Sequence, residues 1–305
     1  MDLPESSGCG KSAKCEVIEV MEEKGLEKYY LRKRAVRISA GALAAVMAVV
    51  SSLALALDFD KETVLFEYGS ILGKLMLIFS VALPPAVVVI CFAAIPKEEK
   101  PCGSLPENYS CSEYYKVDAL PVKVIRYLTS LALTLQGTVD IIITLTTPHK
   151  SGLTLFFSVL MKASVYPLAL YFVPEFADSC KKQGSKLHLV MGTAGITWFV
   201  FSSVFSYFSK IYPLSSEYFI TERITLILLM LAIVYEIHYR LYGNGIRSRL
   251  ATGCAAVVNG VGFGVGRLVM LMTAGVVDLR DTVMIFSTLF LSLYFAARLF
   301  FYSED

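Results

Sequence analysis

Charge is scarce in this sequence. Asp, Glu, Lys and Arg make up 18% of its 305 residues, against about 25% in soluble domains. Hydrophobic residues reach 55% and the mean hydropathy is +0.61, more apolar surface than a soluble fold can hide. A soluble globular protein is excluded. Net charge is small as well, +2 from 28 Lys and Arg against 26 Asp and Glu, which argues against a nucleic-acid partner. Histidine is nearly missing: His149, His188 and His238 sit at different span ends, and no H-E-x-x-H pattern joins them. No metal site is expected, and no cofactor is implied. Long polar loops between the apolar runs are absent too. The longest internal loop, around 96–117, cannot fold as a soluble catalytic or nucleotide-binding domain.

Several apparent motifs are incomplete. Residues 7–12, Ser-Gly-Cys-Gly-Lys-Ser, look like the end of a phosphate-binding loop, but Glu5 stands where its first glycine is needed. Neither a buried strand nor a domain surrounds it. Cys9 and Cys15 in the tail, and Cys102 and Cys111 in the second loop, lack zinc spacing. Cys91, Cys180 and Cys254 lie in or beside spans and read as small apolar fillers. The sequon Asn108-Tyr109-Ser110 falls in a loop expected on the cytoplasmic side, away from glycosylation.

Apolar runs are what the sequence has in abundance. A membrane-crossing helix needs about 20 mostly apolar residues for roughly 30 Å of hydrocarbon. Eight stretches qualify: 36–57, 70–95, 118–147, 152–173, 186–209, 218–242, 249–275 and 281–302. The fourth and sixth carry charge, in Lys162 and in the Glu222–Arg223 pair. The fold class expected is all-α, a polytopic membrane bundle of eight helices with short loops. Residues 1–35 form a polar, basic tail without order to about Gly25, with 22–35 either a basic surface helix or plain topology charge. Residues 36–305 form one domain, whose halves 36–173 and 186–302 would share orientation but show no residue-level similarity. The tail is not a signal peptide, because its basic run leads into a full-length span without a cleavage site.

Lys and Arg are distributed unevenly. Nineteen lie in the tail, the even-numbered loops and the adjoining starts of spans 1 and 3, whereas five (Lys61, Lys74, Lys150, Lys210, Arg280) lie on the opposite side. That bias places both termini in the cytoplasm. An integral, multi-pass protein of the cell or plasma membrane follows.

Polar groups inside the spans carry the functional argument, since an ionisable group in hydrocarbon costs about 2.5–3.5 kcal/mol and normally faces protein or water. On the third span Thr129, Gln136, Asp140, Thr144 and Thr147 project within about 80° of one another at 100° per residue. Such a stripe is either interhelical hydrogen-bond glue or a solute-facing wall. Asp140 and Arg267 lie at similar depth, roughly 10–12 Å below the outer boundary, and Lys162 about 15 Å below it. Asp140 is therefore expected to pair with Arg267 or Lys162, the remaining cation holding an anionic solute or headgroup.

The seventh span contains Asn259, Gly260, Gly262, Gly264 and Gly266. Gly260/Gly264 and Gly262/Gly266 are overlapping GxxxG pairs on faces about 200° apart. They either clasp two neighbouring helices or let the helix unwind around a solute. Pro84, Pro85 and Pro167 should kink the second and fourth spans. Glu236, His238 and Arg240, with Tyr235 and Tyr239, crowd the inner end of the sixth span, as an interfacial anchor or a grip on a headgroup or partner.

The leading functional reading is a permease-like module for a small, anionic solute or lipid. It rests on the short loops, the glycine-rich and kinked spans, and the set Gln136, Asp140, Lys162, Asn259 and Arg267. A non-catalytic sensor or assembly subunit, docking a partner on its cytoplasmic loops, comes second. An intramembrane enzyme acting on a lipid or isoprenoid phosphate comes third, because no clustered carboxylates or convergent His/Asp pair stands out. No catalytic residue is assigned.

Overall fold

The computed structural model describes residues 10–60, 65–66, 70–95, 120–147, 152–173, 186–209, 216–242, 245–274 and 279–301. Side chains in these ranges are described except at 10–30, 65, 153–154, 186–189, 204–209, 240–242, 274 and 301. The phosphate-loop fragment, Cys9, Cys15, Cys102, Cys111, Asn108, Cys180, His149 and His188 lie outside the described side chains.

Every expected span is helical. In chain order the helices are α1 (Gly10–Leu53), α2 (Ile71–Ala94), α3 (Leu120–Thr146), α4 (Gly152–Ala163), α5 (Val165–Phe172), α6 (Lys186–Ser209), α7 (Glu217–Tyr242), α8 (Ile246–Ala274) and α9 (Leu279–Phe301). Apolar runs in lipid must satisfy their backbone internally, and the helix is the local solution. Among the described residues, seven segments of 18 to 28 residues are long and apolar enough to cross a membrane. The described apolar part of α6, Val190–Ser203, is shorter. The architecture is an all-α multi-pass bundle.

Three local features differ from expectation. The tail was expected to lack order as far as Gly25, but α1 begins at Gly10 and runs unbroken into the first span. Its polar part is rich in Glu and Lys, good helix formers, and one interior glycine costs only about 1 kcal/mol. The end of α1 widens into a π-helical segment, Ala54–Asp58, and then a minimal antiparallel hairpin of β1 (Phe59–Asp60) and β2 (Leu65–Phe66). Ser70 closes this corner: its hydroxyl donates to the Asp58 carboxylate at 2.6 Å and accepts from the Gly73 N–H at 2.9 Å, capping α2. Finally, the fourth span breaks at Ser164 into α4 and α5. Pro167 supplies no N–H to the Ala163 carbonyl and its ring crowds that carbonyl, which is where α4 stops. Pro84 and Pro85 lie inside α2, which continues past them.

Helix α8 is the hub, packing on α1, α2, α7 and α9. From α9 the contacts run to α3, then α5, α6 and α7, and back to α8. Leu133, Leu168, Phe172, Leu229 and Tyr294 fill this ring and are almost fully buried. Close approach is glycine-dependent on α6 as well, where a Cβ on Gly192 would lie 2.6 Å from Ile237 Cδ1 and one on Gly195 would strike Leu168. A Cβ on Gly41 would lie 3.1 Å from the Phe300 ring, so the membrane part of α1 begins where α9 ends. That end also carries Lys33, Arg37 and Arg249 and is called the basic end below; the hairpin marks the other.

Candidate functional site

At the basic end, just before α8, Gly245 adopts φ of 86°, a left-handed value that favours glycine. The last helical turns of α7 lie beside the first of α8, where Arg249 faces Tyr239 and Glu236 shares a cavity with Leu250. On α7 the spacing Leu229, Ala232/Ile233, Glu236 follows the helical repeat, so Glu236 continues an apolar buried face and is itself 2% exposed. On α9 the series Leu291, Tyr294/Phe295, Arg298 does the same, leaving Arg298 7% exposed. Two ionisable groups are thereby drawn inside by helical periodicity, and they meet.

Their geometry is closed and specific. Tyr294 Oη donates to Glu236 Oε1 at 2.7 Å. Arg298 Nη1 lies 3.5 Å from the same carboxylate oxygen and donates to Tyr294 Oη at 3.4 Å. Around this network lies a small, partly open cavity bordered by Lys33 and Arg37 of α1, Glu236 of α7, Arg249 and Gly253 of α8, and Arg298 of α9. Ala232 and Gly253 leave the space that the charged groups border. It leaves about 40 Å³ open to the centres of water molecules, room for roughly three waters. The Arg249 guanidinium rests 4.6 Å from the centre of the Tyr239 ring, a cation–π contact that holds it in place. Lys33 is 3% exposed, so it does not simply reach outward from the helix end.

The intramembrane charges sort themselves differently from expectation. Asp140 does not pair with Arg267. Its carboxylate meets Arg280 Nε at 2.8 Å, while Lys162 Nζ donates to the Asp140 carbonyl at 3.3 Å and to the Thr144 hydroxyl. Arg267 instead faces α7, where its Nη2 lies 3.2 Å from Glu222 Oε1 and its guanidinium 5.5 Å from the Tyr218 ring; it lies equally far from the ring of Phe263 on its own helix. The reason is lateral: Asp140 and Arg267 stand on α3 and α8, and each of these helices packs on α9, which offers Arg280 to Asp140.

The other expected residues take clear places. Gln136 is buried in the α3 stripe, and Thr129 in that stripe donates to the Phe290 carbonyl of α9 at 3.1 Å. Thr147 is exposed. Asn259 stands apart from Asp140, donating through Nδ2 to Ser80 at 3.0 Å and Thr225 at 3.3 Å, and so joins α8 to α2 and α7. Gly262 and Gly266 turn toward α1, where a Cβ would meet Met47 at 2.5 Å and Ser51 at 2.6 Å. Gly260 and Gly264 turn toward Ser292 and Leu289 of α9. Helix α8 stays helical throughout these glycines. His238 is exposed at the basic end; the Arg240 side chain lies outside the described residues.

Arg298, Tyr294, Lys33, Arg37 and Arg249 were not singled out from sequence as site residues. Lys33, Arg37 and Arg249 counted only toward orientation. Arg298, three residues from the end of α9, carried the available signal: a charge on a buried helical face facing the level of Glu236. No known protein family, curated protein or solved structure matches this chain.

Proposed function

We propose that the protein is a permease-like membrane module that takes a small anion, or the headgroup of an anionic lipid, into the cavity at its basic end. The observation that carries this reading is the cavity lining, in which four cations, two of them buried, surround one carboxylate. On this reading the basic end is cytoplasmic, in keeping with the Lys and Arg bias. Gly253 and Ala232 provide the opening, and Glu236 with Tyr294 holds Arg298 in position.

A second reading, a sensor or assembly subunit, has its own support. Arg267–Glu222 is a buried ion pair and Asp140–Arg280 a partly exposed one, and α8 is one uninterrupted helix. Such features serve packing as well as passage.

Reconstitution in proteoliposomes separates the two. Uptake of phosphate, sulfate and lactate is followed beside movement of a labelled anionic lipid between leaflets, with equilibrium dialysis run in parallel. The permease reading expects flux of at least one of these above protein-free vesicles, and its loss in Arg249→Gln. Binding without flux favours the sensor; neither binding nor flux overturns the cavity as an anion site.

A further inference from the structure

We infer that the cavity at the basic end recognises a phosphate monoester, with Arg249 and Arg298 as its two guanidinium ligands and Lys33 as a point charge. The inference rests on the reading of this cavity as an anion site and names the ligand class. Three observations favour it.

The first is charge. The lining brings Lys33, Arg37, Arg249 and Arg298 to one cavity beside Glu236. A carboxylate or a phosphodiester offers a single negative charge, whereas a phosphate monoester carries about −1.5 to −2 at neutral pH and can engage more of these cationic side chains at once.

The second is preorganisation. Arg298 is fixed by Glu236 at 3.5 Å and by Tyr294 at 3.4 Å, and Arg249 by the face of Tyr239. Guanidinium forks pair with phosphate oxygens two at a time, and a fork already held in place loses less freedom on binding. With Glu236 and Tyr294 both on its Nη1, Arg298 is oriented by groups that do not themselves need to touch the ligand. Glu236 and Tyr294 are positioning residues.

The third is place and size. Lys33 and Arg298 are buried between helices rather than spread at the surface. Basic pockets between membrane helices at this level are suited to phosphorylated headgroups. Room for roughly three waters admits the phosphate itself, while Leu250 and Phe295 in the wall offer apolar surface to the carbon side of the ester. A membrane phosphomonoester lipid and a free phosphorylated solute share this chemistry.

The test uses the full chain. Glycerol 3-phosphate serves as the free monoester, with lactate as the carboxylate control, in equilibrium dialysis of detergent-purified protein. Phosphatidic acid serves as the lipid monoester, with phosphatidylglycerol as the anionic diester control, in native mass spectrometry from mixed nanodiscs. The expected result is a preference of about tenfold for the monoester in at least one pair, reduced about tenfold in Arg249→Gln and in Lys33→Gln. Preference in the lipid pair alone assigns a headgroup site, and in the solute pair alone a soluble ligand. Arg298→Gln breaks a buried ion pair, so it is read only where it stays monodisperse; the other two variants carry the decision. Equal retention of monoester and control in both pairs overturns the ligand class while leaving an anion site. No retention of any anion removes the anion site itself. Unchanged monoester preference in folded Arg249→Gln and Lys33→Gln overturns the assignment of the ligands.

Discussion

Arg267 is 2% exposed inside the bundle, where Glu222 Oε1 lies 3.2 Å from it and Tyr218 and Asp281 also act on its charge. Removing one member of such a pair leaves the other buried and uncompensated, at a cost of about 3–5 kcal/mol, whereas replacing both by apolar groups is often neutral. Glu222→Gln should therefore lower the midpoint of thermal unfolding in detergent by several degrees. Glu222→Leu combined with Arg267→Met should recover most of the loss. A Glu222→Gln variant that melts with the wild type would show that the pair is not structural. Depth along a span was legible in the sequence, because rise per residue is fixed, and so Asp140 and Arg267 were assigned to one level. Azimuth around the bundle was not. Which helix stands beside which depends on packing choices spread over many residues, and α9 between α3 and α8 turned one expected pair into Asp140–Arg280 and Arg267–Glu222.

At the scale of elements, α8 works as a two-sided clasp, and its glycines divide into those that are filled against and those that are not. A Cβ on Gly266 would lie 2.6 Å from Ser51 Cβ and 2.8 Å from its carbonyl carbon, and one on Gly262 would lie 3.2 Å from the Ala44 carbonyl oxygen. Backbone of α1 cannot move aside as a flexible side chain can, so overpacking of about 1–3 kcal/mol is expected for Gly262→Ala and Gly266→Ala. Gly253 is different: its added Cβ meets only Leu299 Cδ2 at 3.9 Å, and Ala there should gain about 0.5–1 kcal/mol of helix preference. Thermal unfolding of the three variants should therefore order them Gly253→Ala above wild type, and wild type above Gly262→Ala and Gly266→Ala. If Gly266→Ala is as stable as Gly253→Ala, α1 does not press on α8 as described. Span limits were readable to within a few residues because an apolar run ends where polar residues begin. The break at Ser164 was foreshadowed by Pro167. The π segment and the hairpin after α1 had no such signature, since Ala54–Asp58 reads as ordinary apolar helix and two-residue strands are held by context.

For the whole molecule the deciding property is the difference between its two ends. Lys33, Arg37, Arg249 and Arg298 gather at one end in a cavity they share with Glu236, while at the other Arg280 and Lys162 lie close to Asp140. The basic end also holds the start of the first span and the end of the last, as the approach of Phe300 to Gly41 requires. Lys and Arg near the surface of an anionic leaflet contribute about 1 kcal/mol each, and flanking positive charge is retained on the cytoplasmic side during insertion. The expected orientation therefore has the cavity opening toward the cytoplasmic leaflet and the hairpin facing out. A fluorescent protein fused after Asp305 should then mature and fluoresce in intact cells, and alkaline phosphatase inserted after Asp60 should be active. Were both signals reversed, the four cations would face the leaflet poorer in anionic lipid. A phosphomonoester lipid would then lose its local supply, and the cavity would have to draw its anion from the external solution. Orientation thus decides not only the topology but which source of phosphate the basic end can reach.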